Sequence, residues 1–183
     1  MRLDELQREA GDALILEWRA FLLRPFPEER SLEQFTHYTE RWARPASMEP
    51  ATTFHTWSGE HAPPSHSMPS AIAGKAVLHE FGAETFERFH LALMRAYFAD
   101  NRTISERSVI VDVAASAGGD AAALAARIDA DASALEAEVI ADHRAALELG
   151  ISAVPTVVVD DEYLLQGAMA LEQYRKVLTR LAS

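Results

Sequence analysis

Cysteine is absent from all 183 residues. This absence excludes disulfide scaffolding, thiolate zinc sites, iron–sulfur clusters and a cysteine nucleophile within the sequence. Positive charge is also scarce, since 17 Lys and Arg stand against 28 Asp and Glu, giving a formal net charge of −11 at pH 7. A field of that sign repels nucleic acid and anionic membrane surfaces, so we expect neither as a partner.

Long apolar runs are missing too. No stretch approaches the ~18–20 apolar residues that a membrane-spanning helix needs. The first residues, MRLDELQREAGD, are charged from the second position on and so do not resemble a signal peptide. Apolar residues make up 49% and charged residues 25% of the chain, as in globular proteins with a full-sized core. We therefore expect a soluble, cytoplasmic protein if Met1 is the true start.

The N-terminal part predicts a helix followed by a strand. Residues 2–10 have helical spacing of their leucines, and a glycine ends the helix. In residues 13–23, the apolar Leu14, Leu16 and Trp18 alternate with polar side chains. Alternation with period two is typical of a strand that is buried on one face.

Helices dominate the middle of the chain. Ser31 followed by Gln34 is typical of a capping box, and so is Ser133 followed by Glu136. The helices are predicted at 31–44, 68–81, 84–98, 104–117, 120–129 and 133–149. A long irregular connection over 45–67, rich in proline, separates the first two of these helices and is of the length that often serves function. Its aromatic residues, together with Trp42, are expected mainly to fill core.

The C-terminal part changes character. β-Branched residues predict a strand over 156–160, and a second strand follows over 163–166, after an acidic turn. An amphipathic helix is predicted after Gly167. Pro155 stands directly before the first of these strands, a position to which proline is confined because it lacks a ladder donor.

Three segments carry a likeness to a known family. The most informative is AVPTVVVDDEYLLQGAMALEQYRKVL, preceded by a helix that ends in ALELGI. Further segments are LEWRAFLLRP at 16–25 and FERFHLALMRAYFADNRTIS at 86–105. Together they resemble the DsbA family of thioredoxin-fold proteins, in its FrnE-like branch, related to the 2-hydroxychromene-2-carboxylate isomerases. The likeness covers nearly the whole chain.

The resemblance implies an α/β fold with a thioredoxin-like sheet and a large all-helical insertion. Residues 1–30 and 150–183 would form the thioredoxin-like domain, and residues 31–149 the insertion. In the family, the Val-Pro bond is cis and lies beside the redox pair, where an extended substrate can hydrogen-bond. Carried over, Val154, Pro155 and Thr156 are candidate substrate-binding residues, and we expect the Val154–Pro155 bond to be cis.

The sequence departs from the family at its N-terminus. Family members begin with a strand and then a Cys-x-x-Cys motif at a helix N-terminus, which lowers the pKa of the thiol. Here residues 2–10 match only the distal part of that helix, so the motif and the first strand would lie before Met1. We expect an incomplete sheet with its first strand absent, through a start assigned too far downstream or a truncation, and no catalytic residue in the chain as written.

The long connection contributes a second candidate set. The start of the insertion can overhang the active site in the family, so Ser65, His66 and Met68 are candidates to line a substrate cleft. His55 and His61 lie in the same connection, but no ligand spacing of the H-E-x-x-H kind accompanies them, and we predict no metal site.

Three functions stay open at this point. The first is a DsbA-like thiol–disulfide oxidoreductase that is truncated or redox-inactive as written, acting on a polypeptide thiol or disulfide or on a small thiol. The second is a relative of the glutathione-dependent isomerases, and only this one implies glutathione as a cofactor. The third is a non-enzymatic peptide-binding protein. A homodimer that covers an unpaired strand edge is compatible with each.

Overall fold

The structure is a computed structural model that describes residues 2–48, 52–59 and 61–181. The chain forms two compact units. Met1–Phe21 and Asp142–Ser183 make up one, here called the terminal unit, and Leu22–Ala141 makes up the other, here called the helical unit. None of the described helices combines the length and the apolar character needed to cross a membrane. The domain limits given above remain a prediction.

The terminal unit contains the two C-terminal strands. β1, Thr156–Val159, pairs antiparallel with β2, Tyr163–Gln166, and Thr156 lies opposite Gln166. Asp160 and Asp161 in the connecting turn both have positive φ, as tight hairpin turns require. Both predicted strands are confirmed, and they are the only strands in the described part of the chain.

The predicted strand over residues 13–23 is not formed. Residues 14–31 contain no helix or strand. The predicted alternation of burial is nevertheless present. Every second residue from Leu14 to Ala20 is half-buried, and the residues between them are exposed. The backbone at Leu14 is extended, but a strand also needs a hydrogen-bonded neighbour, and no described strand pairs with this segment.

Two helices pack together at the chain ends of the terminal unit. α1, Arg2–Ala10, contacts α7, Leu171–Leu181, and buries Leu6 and Tyr174. A two-pronged ion pair joins them, in which Arg175 Nε donates to Glu9 Oε2 at 2.9 Å and Nη2 donates to Oε1. This hydrogen bonding holds the pKa of Glu9 below its ordinary value of 4.5.

The Glu9→Gln variant is expected to melt at a lower temperature than the unmodified chain at pH 7, and this difference in melting temperature is expected to be smaller at pH 3. A carboxylate whose pKa falls on folding stabilises the fold above its unfolded pKa, and that stability is lost as the pH falls through the folded pKa. The effect is small because the pair is exposed. Thermal unfolding followed by circular dichroism at both pH values measures it. The exposed Glu148→Gln is the matched control, and an equal difference between variant and parent at both pH values would contradict the assignment.

The described residues of the helical unit form five α-helices, and the chain of the last of these continues into the terminal unit. Their bounds are α2 Leu32–Thr39, α3 Ala43–Met48, α4 Met68–Phe98, α5 Arg107–Ser116 and α6 Ala121–Glu148, with α6 continuing into the terminal unit and a 3-10 helix, Glu40–Trp42, between α2 and α3. The predicted capping box at Ser31 is formed on its N-cap side, since Ser31 Oγ accepts from Gln34 N at 3.2 Å.

Two of the long helices, α4 and α6, each contain a break where the sequence predicts two separate helices. α4 contains Gly82 with φ +81°, which separates the predicted helices 68–81 and 84–98 by a kink. α6 contains Asp131 in a non-helical conformation between the predicted 120–129 and 133–149. Ser133 therefore lies inside a helix, and the predicted second capping box is wrong. Asp120 caps α6 instead, with Oδ1 accepting from the backbone of Ala122 and Ala123.

The helical unit has two hydrophobic clusters. The larger lies among α4, α5 and α6, with Phe89, Leu124 and Val77 fully buried. The smaller, here called the aromatic cluster, consists of Phe35, Trp42 and Trp57, with Phe54, Tyr97 and Phe98 packed against it. The prediction that the aromatic residues of the long connection fill core is confirmed by this second cluster.

Candidate functional site

The first predicted site lies at the entry to β1. Residues 152–155, here called the β1-entry loop, are four consecutive exposed residues between a buried Ile151 and the half-buried Thr156. The Val154–Pro155 peptide bond in this loop is cis. The loop thus presents backbone and side chains to solvent immediately before the hairpin.

Hydrogen bonds hold both ends of the β1-entry loop. Before it, Ile151 N donates to Ala146 O at 2.9 Å, which closes the C-terminus of α6 around Gly150 at φ +74°. After it, Gly167 N donates to Pro155 O at 2.8 Å, and Thr156 Oγ1 donates to Ala153 O at the same distance. The loop is therefore fixed by its own unit without any contribution from a ligand.

Val154 is the residue of this loop best placed to bind. The residue is 46% exposed. Among the described residues, no group hydrogen-bonds to either its backbone N–H or its C=O. A backbone donor and acceptor without partners, on an exposed residue beside a strand, can pair with an extended peptide, as sheet edges do.

The second predicted set lies in the helical unit. Ser65 and His66 contact each other, with Ser65 Oγ and His66 Nδ1 at 2.8 Å, and all three of Ser65, His66 and Met68 are half-buried. Ser65 N donates to Ser105 Oγ at 3.1 Å, and Glu28 N donates to Ser65 O at 3.2 Å. This segment is consequently an ordered part of the helical unit and not a solvated loop.

Next to Ser65 and His66, residues Arg24 and Ser67 are joined by two hydrogen bonds. Ser67 N donates to Arg24 O at 2.8 Å, and Arg24 N donates to Ser67 Oγ at 3.1 Å. Arg24 Nη1 also donates to Pro64 O at 3.2 Å. The side chain of Ser67 is therefore used to hold residue 24 and does not cap α4, whose N-terminus it occupies.

The six predicted residues fall into two groups. Val154, Pro155 and Thr156 belong to the terminal unit, whereas Ser65, His66 and Met68 belong to the helical unit. Each group is close together in its own unit. The assignment of either group to substrate binding remains a prediction.

Histidines of the long connection lie around a different cavity of the helical unit. A cavity of about 220 Å³ is lined by His55, Ser58, His61, Asp100 and Asn101, among others. His55 Nδ1 is 2.6 Å from Ala99 O, so this ring nitrogen is already engaged. No three His, Asp or Glu side chains are arranged to hold a metal ion within the described ranges.

Two charged features were not predicted from the sequence. The first is a cavity of about 480 Å³ in the helical unit that contains Arg24 and Arg30 beside Phe35 and Tyr38. The second is Asp142, a buried carboxylate in the terminal unit that accepts from Ala20 N at 2.9 Å and from Arg19 Nη1 at 3.1 Å. The hydrogen bond to Asp142 raises the pKa of Arg19. Of the two features, only the burial of Asp142 could have been predicted from the sequence. Asp142 follows Leu135 and Val139 at helical spacing, and all three are buried on one face of α6.

The chain matches one family over almost its whole length. The DSBA-like thioredoxin domain family matches residues 1–179. No curated protein matches the chain significantly.

Solved structures resemble the whole chain. A candidate protein disulfide isomerase from Nitrosomonas europaea is 15% identical at a TM-score of 0.76, over 98% of this chain and 87% of that one. The cytosolic disulfide reductase DsbM from Pseudomonas aeruginosa is 19% identical, and the TM-score is 0.74 over 99% of this chain and 90% of DsbM. DsbM has also been solved with GSH. A candidate DsbA oxidoreductase from Streptomyces coelicolor is 25% identical, and the TM-score is 0.69 over 98% of this chain and 81% of that one. The predicted fold class, an incomplete thioredoxin-like sheet with a helical insertion, is confirmed.

Proposed function

Because the chain belongs to the DSBA-like thioredoxin domain family, we propose that it provides the polypeptide-binding scaffold of a thiol–disulfide oxidoreductase. The substrate class is an extended polypeptide that carries a thiol or a disulfide. As the 183 residues stand, the chain is redox-inactive. Exchange proceeds by attack of a thiolate on a disulfide sulfur, and no residue of the sequence can supply that thiolate.

The β1-entry loop carries this proposal. Val154 is an exposed residue whose backbone donor and acceptor have no partner among the described residues, and the hydrogen bonds at Ile151 and Gly167 fix the loop before any ligand arrives. A preorganised site loses less conformational entropy on binding than a flexible one. The main chain of a substrate can pair with Val154 irrespective of its side chains, which suits an enzyme class that acts on many polypeptides.

Val154→Pro is expected to weaken binding of an extended peptide by about tenfold, because proline removes the one backbone donor of the loop that the peptide would use. Val154→Ala keeps both backbone groups and should bind within about twofold of the unmodified chain. The probe is fluorescein-labelled insulin B chain with carbamidomethylated cysteines, followed by fluorescence anisotropy. Alkylation keeps redox chemistry out of the measurement.

The matched control for this experiment is Ser152→Pro, which places the same ring two residues earlier in the same exposed loop. Circular dichroism verifies that each variant is folded. Equal binding by Val154→Pro and Ser152→Pro would contradict the role of the Val154 backbone. So would a loss in Val154→Ala as large as the loss in Val154→Pro, since it would assign the binding to the side chain.

A glutathione-dependent isomerase relative is the second candidate. The observation in its favour is that DsbM, similar in fold, has been solved with GSH. Calorimetry with glutathione separates the two functions. Binding of glutathione together with failure to bind the alkylated B chain would favour the second candidate.

Finer assignments complete the proposal. We place the chain in the FrnE-like branch, on the segments 16–25 and 86–105 quoted above. We place it in the cytosol because DsbM, similar in fold, is a cytosolic reductase. The division into a thioredoxin-like domain at 1–30 and 150–183 and an insertion at 31–149 belongs to the same proposal.

A further inference from the structure

Two arginines share one aromatic side chain in the helical unit. The Cζ atom of Arg24 lies 5.5 Å from the centre of the Phe35 ring, and that of Arg30 lies 5.6 Å from it. Arg30 also lies 5.8 Å from the ring centre of Tyr38, which stacks on Phe35. The four side chains line the cavity of about 480 Å³ described above, here called the dibasic cavity.

The positive charge in the dibasic cavity is incompletely neutralised. No carboxylate lies within ion-pair distance of Arg24 in the described part of the chain. Its guanidinium donates to Pro64 O at 3.2 Å, which uses one of the five N–H donors that arginine carries. Two positive charges that line one cavity are unfavourable there when partly out of water, unless an anion accompanies them. In a chain with net charge −11, such a pair is conspicuous.

Two carboxylates also line the dibasic cavity. Glu28 Oε2 lies 3.4 Å from Arg30 Nη2, a distance at the limit of hydrogen bonding. The Glu28 side chain is exposed, which weakens this pair through solvent screening. Glu29 is exposed as well and forms no ion pair among the described residues. A ligand carboxylate with better geometry can therefore displace Glu28 from Arg30.

The lining of the dibasic cavity also includes accessible apolar side chains. Tyr38 is 44% exposed, and the exposed Leu23 also lines the cavity. Gln34 adds a side-chain amide. The combination of two planar guanidinium groups with an accessible ring suits a planar anion that is joined to a flat apolar group, because guanidinium binds carboxylate through two parallel hydrogen bonds.

We propose that the dibasic cavity binds a carboxylate attached to a flat apolar group, with Arg24 and Arg30 holding the carboxylate and Tyr38 contacting the apolar group. The site lies wholly within the helical unit, and it goes beyond the peptide-binding function proposed for the β1-entry loop. Two sources share this chemistry. One is a small aromatic acid, and the other is the free C-terminus of a peptide that ends in an aromatic residue.

Titration of the full chain with 4-fluorobenzoate, followed by fluorine NMR, tests the proposal. Arg30→Met is expected to weaken binding by about tenfold, since it removes a charge-assisted, two-pronged contact. Glu28→Gln is expected to tighten binding by about two- to threefold, since it removes the competing carboxylate. Opposite changes from two neighbouring substitutions cannot arise from a general loss of structure.

Matched controls define the outcomes that would overturn the proposal. Arg41→Met removes the same charge from an exposed residue of the same unit that does not line the cavity, and it should leave the affinity unchanged. 4-Fluorobenzamide, the neutral counterpart, should bind at least about tenfold more weakly than the acid. Equal affinity for acid and amide, or an equal loss in Arg30→Met and Arg41→Met, would contradict the proposal. Unchanged binding by Glu28→Gln would contradict it too.

A competition arm distinguishes the two sources. N-acetyl-phenylalanine and its amide are each added to the chain loaded with 4-fluorobenzoate. Displacement by the free acid at a concentration comparable to that of unlabelled benzoate assigns the cavity to peptide C-termini as well. Displacement by benzoate alone assigns it to small aromatic acids. Both results support the carboxylate site, and displacement by the peptide amide as effective as by its acid overturns it.

Discussion

Replacing Trp57 with alanine is expected to lower the free energy of unfolding of the helical unit by about 3–5 kcal/mol. The Trp57 side chain is 0% exposed and lies at the centre of the aromatic cluster. Its ring contacts Phe35 at 5.1 Å and Tyr97 at 5.8 Å between centroids. Removal of a fully buried indole leaves a cavity in addition to the lost transfer free energy. Urea denaturation followed by far-ultraviolet circular dichroism measures the change.

Trp57 also fastens the long connection through polar contacts. Its indole Nε1 donates to His61 O at 2.9 Å, its backbone N donates to Thr39 Oγ1 at 2.9 Å, and its carbonyl accepts from Thr36 Oγ1. Trp57→Phe keeps much of the apolar volume but loses the indole donor, so it should cost less than the alanine variant. Phe26→Ala, at an exposed phenylalanine of the same unit, is the negative control. A Trp57→Ala loss as small as that of Phe26→Ala would show that the connection is not anchored by this side chain.

Asp142→Ala is expected to destabilise the terminal unit by about 2–4 kcal/mol. The Asp142 side chain is only 4% exposed and accepts from the backbone of Ala20 and from the guanidinium of Arg19. Alanine leaves a partly buried backbone N–H without its acceptor, and that loss costs more than the hydrogen bond itself contributes. Denaturation of the full chain in urea, with the transition of each unit fitted separately, measures the change.

Arg19→Met separates the contribution of the Arg19 ion pair from that of the Ala20 hydrogen bond. The Arg19 side chain is 62% exposed, so its ion pair with Asp142 is screened, and its loss should cost less than about 1 kcal/mol. Asp142→Asn keeps an oxygen that can accept from Ala20 N. Its loss of unfolding free energy should therefore lie between the losses in Arg19→Met and Asp142→Ala. A loss in Arg19→Met equal to that in Asp142→Ala would place the stabilisation in the ion pair instead of the backbone hydrogen bond.

These two anchors bear on the functional proposals because each holds a segment that has little regular structure of its own. Trp57 holds the connection that leads to Ser65 and His66, and Asp142 holds the extended segment at Ala20. Binding of ligands by irregular segments depends on such fixed attachments. A loss of ligand binding in Trp57→Ala or Asp142→Ala would therefore be attributed to binding only if the variant remains folded.

Local patterns in the sequence were sufficient for most of the secondary structure. The Ser31–Gln34 spacing predicted the start of α2, and the β-branched run predicted β1, because caps and strand propensities act between near neighbours in the chain. The second predicted capping box is wrong because the break in α6 falls at Asp131, so that Ser133 already lies in the helical segment that follows the break.

The segment over residues 14–20 shows where local pattern stops being sufficient. Its alternation predicted correctly which side chains face inward, since that depends only on the period of an extended chain. Whether it forms a strand depends on a neighbour to pair with, which no property of the segment itself decides. In the structure the Ala20 N–H bonds to a helix carboxylate, Asp142 Oδ2, 122 residues away in the chain.

The sequence by itself determined the family likeness, the candidate segment Val154–Pro155–Thr156 and the absence of a thiol, because each is a matter of residue identity or of spacing along the chain. Tertiary structure alone decided that Arg24 and Arg30 would both lie against the Phe35 ring, and that Asp142 would be buried against Ala20. Contacts of this second kind arise when separate segments pack together. Their free energies depend on burial and distance in space, which neighbours in the sequence do not encode.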